Sequence, residues 1–445
     1  MKILANQTLN RRSFVSRSAL AASALAIHPL QILKAKSPNE VINVAFIGAG
    51  GKGAHAIRTL ENNPRVNFIA FADVDTVKAA ESFKKHPKVP RFKDFRKMLD
   101  KHEKEIDAVV ISTPDHMHHY PAKWCLKMGK HIYLEKPLAH SIEQCRELAR
   151  LENETGLVCQ MGNQGHSGTG IASLKAWIDA GILGEVEELV AWNPGRDRRI
   201  WTQRPPAEPI PDTLAWDLWL GVAEEVPYNS NYLPGSWRWW FDFGLGSLGD
   251  WACHNMDAPY YALDLGLPSS VKVRSTGPTK YNFPNGVEVK YSFQQSGKKD
   301  LPYTWYNGGY FGPSRPANLD PDIEFGNRGG GTVIIGSKAS VLMRSHAGSP
   351  RIFPEATRRE LAADLPTIEP RSSHYNNWLL SIKGEEKARS HFAYSAQLTE
   401  VMHYGNIALK VNRDLSIDSK KGKIFDDKEA SYWMRGPAPR KGWKI

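Results

Sequence analysis

Cysteine is scarce in this chain of 445 residues, which contains only Cys125, Cys145, Cys159 and Cys253. The four lie far apart, and no two of them form a C-x-x-C pair. This spacing excludes a cysteine-based zinc module and argues against a fold held together by disulfides. We therefore predict that each cysteine is a small buried side chain in an ordinary hydrophobic core.

Long apolar runs and basic runs are also missing. Beyond a weak N-terminal stretch, nothing approaches the roughly 18 apolar residues of a membrane span, so no stable membrane insertion is expected. The formal net charge is +11, but six of these charges fall within the first 36 residues, which carry no acid. The remainder has an excess of about +5 and no RNA-binding motif, so a nucleic-acid partner is not expected either.

The N-terminal segment resembles a twin-arginine export signal. Arg11 and Arg12 precede Ser13 and Phe14, and an alanine-rich, mildly apolar stretch covers residues 19–27. A disordered basic tail is the alternative interpretation. We assign residues 1–36 to a signal peptide and linker, and we expect the folded protein to be exported, to the periplasm.

A glycine-rich motif follows the first β-branched run, residues 41–47. The motif Gly48-Ala49-Gly50-Gly51-Lys52-Gly53 is followed by a helical pattern, so strand, G-x-G-x-x-G and helix arrive in the order of a dinucleotide-binding unit. Gly48 permits the tight turn, Gly50 and Gly51 let backbone N–H groups approach a pyrophosphate, and Gly53 lets helix and strand pack closely.

An acidic residue stands where such a unit binds the adenosine ribose. The next apolar run ends at Asp73, twenty residues after Gly53. A carboxylate there accepts ribose hydroxyls and repels a 2′-phosphate, which favours NAD over NADP. Asp75 is a rival for this role, although a solvated loop acid is the better interpretation of it.

Strand and helix patterns continue to alternate through residue 165, which predicts a doubly wound parallel sheet of the Rossmann type over residues 41–165. Ligands bind at the carboxyl ends of such strands. Those ends carry residues that we predict to contact the cofactor: Thr113, Pro114, Glu135, Lys136, Asn163 and Gln164.

Three motifs together resemble the Gfo/Idh/MocA oxidoreductases. They are the glycine loop with Asp73, the sequence Ser112-Thr113-Pro114-Asp115-His116, and Glu135-Lys136-Pro137. The likeness extends from about Val41 to about Arg413 and implies a nicotinamide-dependent enzyme that oxidises or reduces sugars and cyclitols. The chain departs from the family in its double glycine and in a long aromatic insertion over residues 193–245, which leaves the substrate undetermined.

The resemblance also implies catalytic residues. Taking a hydride from a secondary alcohol requires a base for the hydroxyl proton and a cation beside the developing alkoxide. Lys136 is the implied cation, although a surface lysine after a strand is the alternative. Asp250 and His254 lie four residues apart on one helix face, and by themselves indicate a surface pair. With the resemblance, His254 is the proton acceptor, and Asp250 orients it or binds a substrate hydroxyl.

Other titratable residues are assigned no catalytic role. Residues 115–119 read Asp-His-Met-His-His and look like a metal cluster, but their position at a helix start favours capping and packing, and we predict no metal. Asp257 and His374 have no independent claim to catalysis.

The rest of the chain predicts an α+β domain over residues 166–413, with a large, open, mostly antiparallel sheet. We expect a helix over residues 395–411 to pack back on the first domain. Because an exposed flat sheet is a liability, we expect a second subunit to cover one face, in a homodimer or homotetramer. The tail, residues 414–445, is expected to wrap a neighbour.

Eight of the fourteen tryptophans fall between residues 192 and 251, among several arginines. Stacked rings and guanidinium donors suit the faces and hydroxyls of a carbohydrate, although core packing explains half of them. The candidate substrate residues are His166, Arg196, Trp237 and Trp240. Three functions remain open: a sugar dehydrogenase, which we place first; a redox-neutral glycosidase or epimerase that retains NAD; and a non-catalytic sugar-binding protein.

Overall fold

A computed structural model of the chain describes residues 41–277 and 279–443. The predicted export signal lies outside the described residues. All four cysteines are buried and unpaired, as predicted. In the part of the chain that the structure describes, no helix is long and apolar enough to cross a membrane.

The first half is a six-stranded parallel sheet in the order β3-β2-β1-β4-β5-β6, which confirms the predicted Rossmann fold. Its strands are β1 (Ile42–Ile47), β2 (Val66–Ala72), β3 (Arg91–Phe92), β4 (Ala108–Ile111), β5 (His131–Leu134) and β6 (Cys159–Met161). Its helices are α1 (Lys52–Leu60), α2 (Ala80–Lys85), α3 (Phe95–His102), α4 (His119–Lys127) and α5 (Ile142–Thr155). Short 3-10 helices cover Asp115–Met117 and Gln164–Ser167.

The central strands are buried on both faces, as the apolar runs predicted. Every residue of β4 is buried, and Val44 and Phe46 of β1 are inaccessible to solvent. Because helices cover both faces of a parallel sheet, its strands need apolar side chains in both directions. The carboxyl ends of β1, β2, β4 and β5 therefore meet at one edge of the sheet.

The second half is built on a nine-stranded sheet in the order β13-β12-β11-β7-β10-β9-β8-β14-β15. Its strands are β7 (Val186–Asn193), β8 (Ser270–Ser275), β9 (Val287–Phe293), β10 (Leu301–Asn307), β11 (Gly331–Gly336), β12 (Ser340–Arg344), β13 (Gly348–Phe353), β14 (Leu415–Asp418) and β15 (Lys423–Ile424). Neighbours are antiparallel except β7 and β10, so the predicted mostly antiparallel sheet is confirmed. The sequence patterns missed β10 and β13, which both contain a proline, and also β14 and β15, which were assigned to the tail but join the large sheet.

Helices pack on the inner face of this sheet and against the first half. They are α6 (Thr169–Asp179), α7 (Trp216–Leu220), α8 (Gly246–Asn255), α9 (Asp257–Leu263), α10 (Glu355–Glu360), α11 (His374–Ile382), α12 (Phe392–Val411) and α13 (Lys428–Arg435), with 3-10 turns at Ser230–Tyr232 and Ser236–Trp239. As predicted, the long helix α12 packs on the Rossmann half, against α5.

Contacts within the chain involve both surfaces for which a neighbouring subunit was expected, and a homo-oligomer stays a prediction. Part of the outer face of the large sheet is covered by the chain's own segment 308–330, where Phe325 stacks on Trp192 at 4.6 Å. The C-terminal tail packs on the chain itself: Trp443 is buried against Tyr120 and Phe95 of the Rossmann half.

Candidate active site

The glycine-rich loop forms a cradle between β1 and α1. Gly48 has φ +88°, and a Cβ added there would lie 2.7 Å from the Ser112 carbonyl oxygen. A Cβ on Gly53 would lie 1.8 Å from the Gly48 carbonyl oxygen. Helix α1 begins after Gly51 without a side-chain cap. In its first turn the N–H groups of Gly53 and Ala54 donate to the Gly50 carbonyl oxygen, which leaves the N–H of Lys52 to meet an anion. This arrangement fits the pyrophosphate of a dinucleotide.

Asp73 ends β2 beside this loop, where the sequence predicted it. Its Oδ2 accepts hydrogen bonds from the N–H groups of Ala49 (2.8 Å) and Gly50 (3.0 Å), and its Oδ1 accepts one from Asp75. Burial raises the pKa of the Asp73 carboxyl. A carboxylate offers about four acceptor positions, so one is left for a ribose hydroxyl. Asp75 instead caps its own turn by accepting from Val77 and Lys78.

A cleft of about 310 Å³ runs along the carboxyl ends of the strands. Eight of the residues that we predicted to bind the cofactor line this cleft: Gly48, Gly50, Gly51, Asp73, Thr113, Pro114, Glu135 and Lys136. Gly53 lies behind the loop and serves packing, as its predicted role requires. The cleft ends at Lys136, whose peptide bond to Pro137 is cis.

Lys136 forms a buried ion pair with Asp250. Its Nζ donates to Oδ1 of Asp250 and, at 3.0 Å, to the Asp250 carbonyl oxygen. Burial alone would lower the pKa of Lys136, but the Asp250 carboxylate more than offsets this and the pKa is raised. Arg238 donates from Nε to the same Oδ1 at 3.0 Å. Burial opposes ionisation of Asp250, yet the two cations bring its pKa down to about 2.

This pairing corrects one predicted role. Asp250 was expected to orient His254 or to bind a substrate hydroxyl. Among the described residues its carboxylate bonds to Lys136 and Arg238 and not to His254, so the first alternative is wrong and the second stays a prediction. Asp250 therefore holds the lysine in place. Arg238, in the aromatic insertion, was not predicted as a site residue.

His254 follows Asp250 on α8, is 5% exposed and is not among the described residues that line the cleft. Its Nδ1 is buried without a hydrogen-bond partner among the described residues. Burial, followed by the nearby His346 and Lys136, holds the pKa of His254 well below its ordinary value. The imidazole is therefore neutral near pH 7.

Asp115 is a second buried carboxyl at this end of the cleft, and the sequence offered no reason to separate it from its histidine neighbours. Its Oδ2 accepts a hydrogen bond from the N–H of Leu245 at 3.1 Å. Burial raises its pKa to about 7, although Arg238 and Lys136 oppose the shift. The site thus contains two carboxyls with widely different proton affinities.

The neighbouring histidines bond within the described chain, as the packing interpretation predicted, but none of their side chains caps a helix N-terminus. His116 contacts the carbonyl oxygens of Trp219 (3.0 Å) and Phe243 (3.3 Å) through its two ring nitrogens, and His118 those of Pro137 (2.6 Å) and Thr113 (2.8 Å). His119 contacts Glu147. Among residues 41–277 and 279–443 no group of three or more His, Cys, Asp or Glu side chains could hold a metal.

Three predicted contacts lie away from the cleft, and this corrects their assignment. Asn163 is fully buried; its Nδ2 donates to Asp257 at 3.0 Å and its Oδ1 accepts from Ser390 at 2.5 Å. Gln164 donates to the hydroxyl of Tyr133 at 3.1 Å. His166 is bound to the carboxylate of Asp257 at 3.0 Å.

Asp257 itself, given no role by the sequence, is the centre of this buried network. The hydroxyl of Tyr394 also donates to it, at 2.5 Å. His374 bonds to the hydroxyl of Ser167 and the carbonyl oxygen of Met161. These groups form hydrogen bonds with one another. They therefore connect the two halves of the chain and do not face the cleft.

The aromatic insertion folds over the cofactor cleft. We call residues 213–243 the covering segment. At one end it pairs with the residues after β2: the N–H of Thr76 donates to Thr213, and that of Ala215 to Val74. Its cleft-lining residues are Leu218, Trp219, Leu233, Pro234, Gly235, Trp237 and Arg238.

Of the three substrate residues predicted in the insertion, one lines the cleft and two do not. Trp237 lines the cleft and stacks on Arg238 at 4.2 Å. Trp240 is 2% exposed in the aromatic core of the covering segment, against Tyr232, so it is a packing residue. Arg196 is exposed and does not line the cleft. Most aromatic rings of this segment pack against one another. The sequence pattern does not show which of them, such as Trp237, lines the cleft.

Two models of one family match the chain. Residues 42–163 match the Gfo/Idh/MocA oxidoreductase family, NAD-binding Rossmann fold, and residues 167–295 match that family's C-terminal α/β domain. Together these matches cover more than half of the sequence.

Curated relatives are similar over shorter regions. The 4-carboxy-2-hydroxymuconate-6-semialdehyde dehydrogenase of Sphingobium sp. is 31% identical over 122 residues, 27% of this chain and 38% of that protein. Glycosyl hydrolase family 109 protein 3 of Phocaeicola vulgatus is 33% identical over 129 residues, 27% of this chain and 23% of that protein. The scyllo-inositol 2-dehydrogenase (NAD(+)) of Bacillus subtilis is 38% identical over 80 residues, 18% and 23% of the two chains. Each match thus spans well under half of the relative's length.

Solved structures share the whole fold. The WlbA dehydrogenase from Bordetella pertussis, in complex with NADH and UDP-GlcNAcA, has a TM-score of 0.58 at 15% identity, covering 85% of this chain and 99% of that one. Apo scyllo-inositol dehydrogenase from Lactobacillus casei has a TM-score of 0.52 at 15% identity, covering 85% and 98%. At these identities the likeness shows the fold alone.

Proposed function

Because the chain belongs to the Gfo/Idh/MocA oxidoreductase family, we propose that it transfers a hydride between a nicotinamide cofactor and a secondary hydroxyl of a sugar, glycoside or cyclitol. The observation that carries this proposal is the buried Lys136–Asp250 pair at the end of the cofactor cleft, with a neutral imidazole nearby. A cation, a proton acceptor and a dinucleotide cradle are the groups that alcohol oxidation requires.

Each residue has a distinct part in this chemistry. Bound NAD supplies a hydride acceptor, and NADH a donor. The Lys136 ammonium, held by Asp250, donates a hydrogen bond to the substrate oxygen and stabilises the negative charge that develops there. His254 accepts the hydroxyl proton through Nε2, since its Nδ1 is buried. In the reverse direction the same imidazole returns the proton.

The test is to follow reduced-nicotinamide absorbance while purified protein is mixed with a panel of sugars, glycosides and cyclitols. Continuous turnover with added NAD supports a dehydrogenase. Absence of any absorbance change with every member of the panel contradicts the proposal. It would then favour the third possibility, a non-catalytic sugar-binding protein, against which the intact Lys136, Asp250 and His254 count.

The preference for NAD is expected to depend on Asp73. Replacing it with serine removes the charge that repels a 2′-phosphate and should narrow the preference for NAD over NADP by about 1–2 kcal/mol, the size of one charge contact in a partly wet site. Dissociation constants for both cofactors measure this. Asp73→Asn removes the same charge but keeps an acceptor for the loop N–H groups. It should narrow the preference by the same amount, which would separate the effect of the charge from that of the loop contacts. A wild type that already prefers NADP would show that Asp73 does not have this role.

A redox-neutral glycosidase or epimerase with retained cofactor is the second candidate. The covering segment favours it, because this segment closes one side of the cleft and is held at several points. Arg440 of the tail donates to the carbonyl oxygens of Gly221 and Asp217, both at 2.6 Å, and so ties the covering segment down. Release of a dinucleotide would require these contacts to open.

We therefore expect purified protein to keep nicotinamide dinucleotide through extensive dialysis. Denaturing the dialysed protein and analysing the supernatant by mass spectrometry measures the retained nucleotide. Arg440→Ala should lower retention, because it removes the link between tail and covering segment, whereas Arg435→Ala, an exposed position on α13, should not. Wild-type protein without nucleotide would contradict retention. An absorbance change equal to the retained cofactor, without turnover, would identify internal hydride return.

We also propose export by the twin-arginine route. The N-terminal arginine pair supports this, as does a cofactor cleft that is covered once the protein has folded. Fractionating cells that express the Arg11→Lys, Arg12→Lys variant tests it, since export unaffected by the double replacement would contradict the proposal.

A further inference from the structure

A histidine on the turn between β12 and β13 of the large sheet, His346, contacts His254. His346 and Ala347 both have left-handed backbone conformations, with φ +62° and +55°. Such conformations are disfavoured for residues with a Cβ and persist where surrounding packing imposes them. This turn therefore places the His346 side chain at a definite position.

Three glycines make room for the turn. A side chain on Gly165 would collide with the His346 carbonyl, and one on Gly170 with the Ala347 carbonyl. A Cβ on Gly329 would collide with Ser345 and with the ring of Trp251. The turn is thus seated between the start of the second half and the helix that carries Asp250 and His254.

The ring of His346 stacks on the ring of His254. Their centroids are 4.0 Å apart and their planes differ by 27°. Nδ1 of His346 lies 3.3 Å from the hydroxyl of Ser345, whereas its Nε2 has no hydrogen bond to any described residue. His346 is only partly buried, in contrast to His254. The pair therefore offers one deep and one accessible imidazole, each with Nε2 unbonded within the described chain.

Burial and the nearby lysines keep both rings neutral. Burial, then Lys136 and Lys52, lower the pKa of His346 to about 4, while Asp250 acts in the opposite direction. His254 faces the same two lysines, with His374 as a further contributor. A neutral imidazole can donate or accept a hydrogen bond at Nε2, so both rings can bind hydroxyls.

We propose that His346 is a substrate-binding residue that hydrogen-bonds, through Nε2, the hydroxyl next to the carbinol whose proton His254 accepts. The two ring centroids are 4.0 Å apart, so one substrate with hydroxyls on neighbouring carbons can reach both rings. The site therefore selects vicinal diols, as found in sugars and cyclitols, over isolated alcohols. This inference rests on the proposed function and names the substrate feature that the site reads.

Two variants test the contact. His346→Phe keeps a ring on His254 but removes both nitrogens, and His346→Gln restores a polar group near the position of Nε2. We expect His346→Phe to raise KM about tenfold, the loss of one hydrogen bond of about 1.4 kcal/mol, with kcat changed much less. His346→Gln should recover part of the loss. Lys338→Ala, an exposed position in the turn between β11 and β12, is the control and should leave KM unchanged.

Deoxy substrates test the same contact from the substrate side, so that protein variant and substrate variant form a double-mutant cycle. The probes are D-glucose, D-galactose and myo-inositol, together with their monodeoxy counterparts. Wild type should lose about tenfold in kcat/KM on the counterpart that lacks the neighbouring hydroxyl, and His346→Phe should show no further loss. Unchanged KM in His346→Phe, or equal discrimination by both proteins, would overturn the proposal.

A second measurement separates this proposal from the proposed function. Diethyl pyrocarbonate modifies neutral imidazoles, and peptide mass spectrometry locates the modified rings. In wild type we expect His346 to be modified faster than His254, and the three probe compounds to protect it. Should wild type prove inactive on the panel, protection of His346 would still support binding. Modification of His346 unaffected by every probe, in an inactive protein, would refute both ideas.

Discussion

Lys136→Ala is expected to lower turnover by a factor on the order of 10² or more while leaving cofactor binding nearly unchanged. The ammonium is the cation at the substrate oxygen, and removing such a donor costs about 3–4 kcal/mol of transition-state stabilisation. Steady-state kinetics and the amount of bound nicotinamide measure the two effects separately. His254→Ala should lower turnover by a similar factor, because the hydroxyl proton then has no acceptor.

The controls for this prediction lie in the same chain. Lys175→Ala removes a lysine whose carboxylate partner, Asp179, is exposed on α6, and it should leave turnover unchanged. Melting temperatures are needed for Lys136→Ala, because the buried Asp250 loses one partner, although Arg238 still neutralises it. Near-normal turnover in either catalytic variant would mean that the residue concerned has another role.

Gly53→Ala is expected to abolish cofactor binding and to lower the free energy of unfolding by about 3 kcal/mol or more. Its Cβ would lie 1.8 Å from the Gly48 carbonyl oxygen, so the loop and the start of α1 must move apart. Backbone cannot move aside as a flexible side chain can, which is why such overpacking is costly. Denaturant unfolding and nucleotide titration measure the two effects.

Gly312→Ala is the matched control, since a Cβ there meets nothing within 4 Å and its backbone is not left-handed. It should leave both stability and cofactor binding unchanged. A Gly53→Ala protein that retains full nucleotide binding would show that the loop tolerates expansion, and that the close approach is not required for the cradle.

The cofactor half of the site was predictable because its chemistry is local. Gly48, Gly53 and Asp73 act within one strand–loop–helix–strand unit, and the spacing of residues along the chain sets their positions. Where the prediction failed in this half, at Asn163 and Gln164, both residues follow β6, the last strand of the sheet. Asn163 bonds to Asp257 and Ser390 of the second half, which the sequence pattern of the first half cannot contain, and Gln164 bonds to Tyr133 and Glu135 across the end of the parallel sheet.

By itself the sequence determined the parallel nucleotide-binding sheet, the mostly antiparallel second sheet, the cradle and the lysine after β5, since hydrophobic period and glycine placement act over neighbouring residues. Only the tertiary structure decided the partners of that lysine and of His254. Lys136 meets Asp250 across 114 positions of the chain, and His346 arrives from a turn of the large sheet. The covering segment and the tail likewise found their surfaces on the Rossmann half. Such contacts depend on how one half packs against the other, and no periodicity within either half encodes that packing.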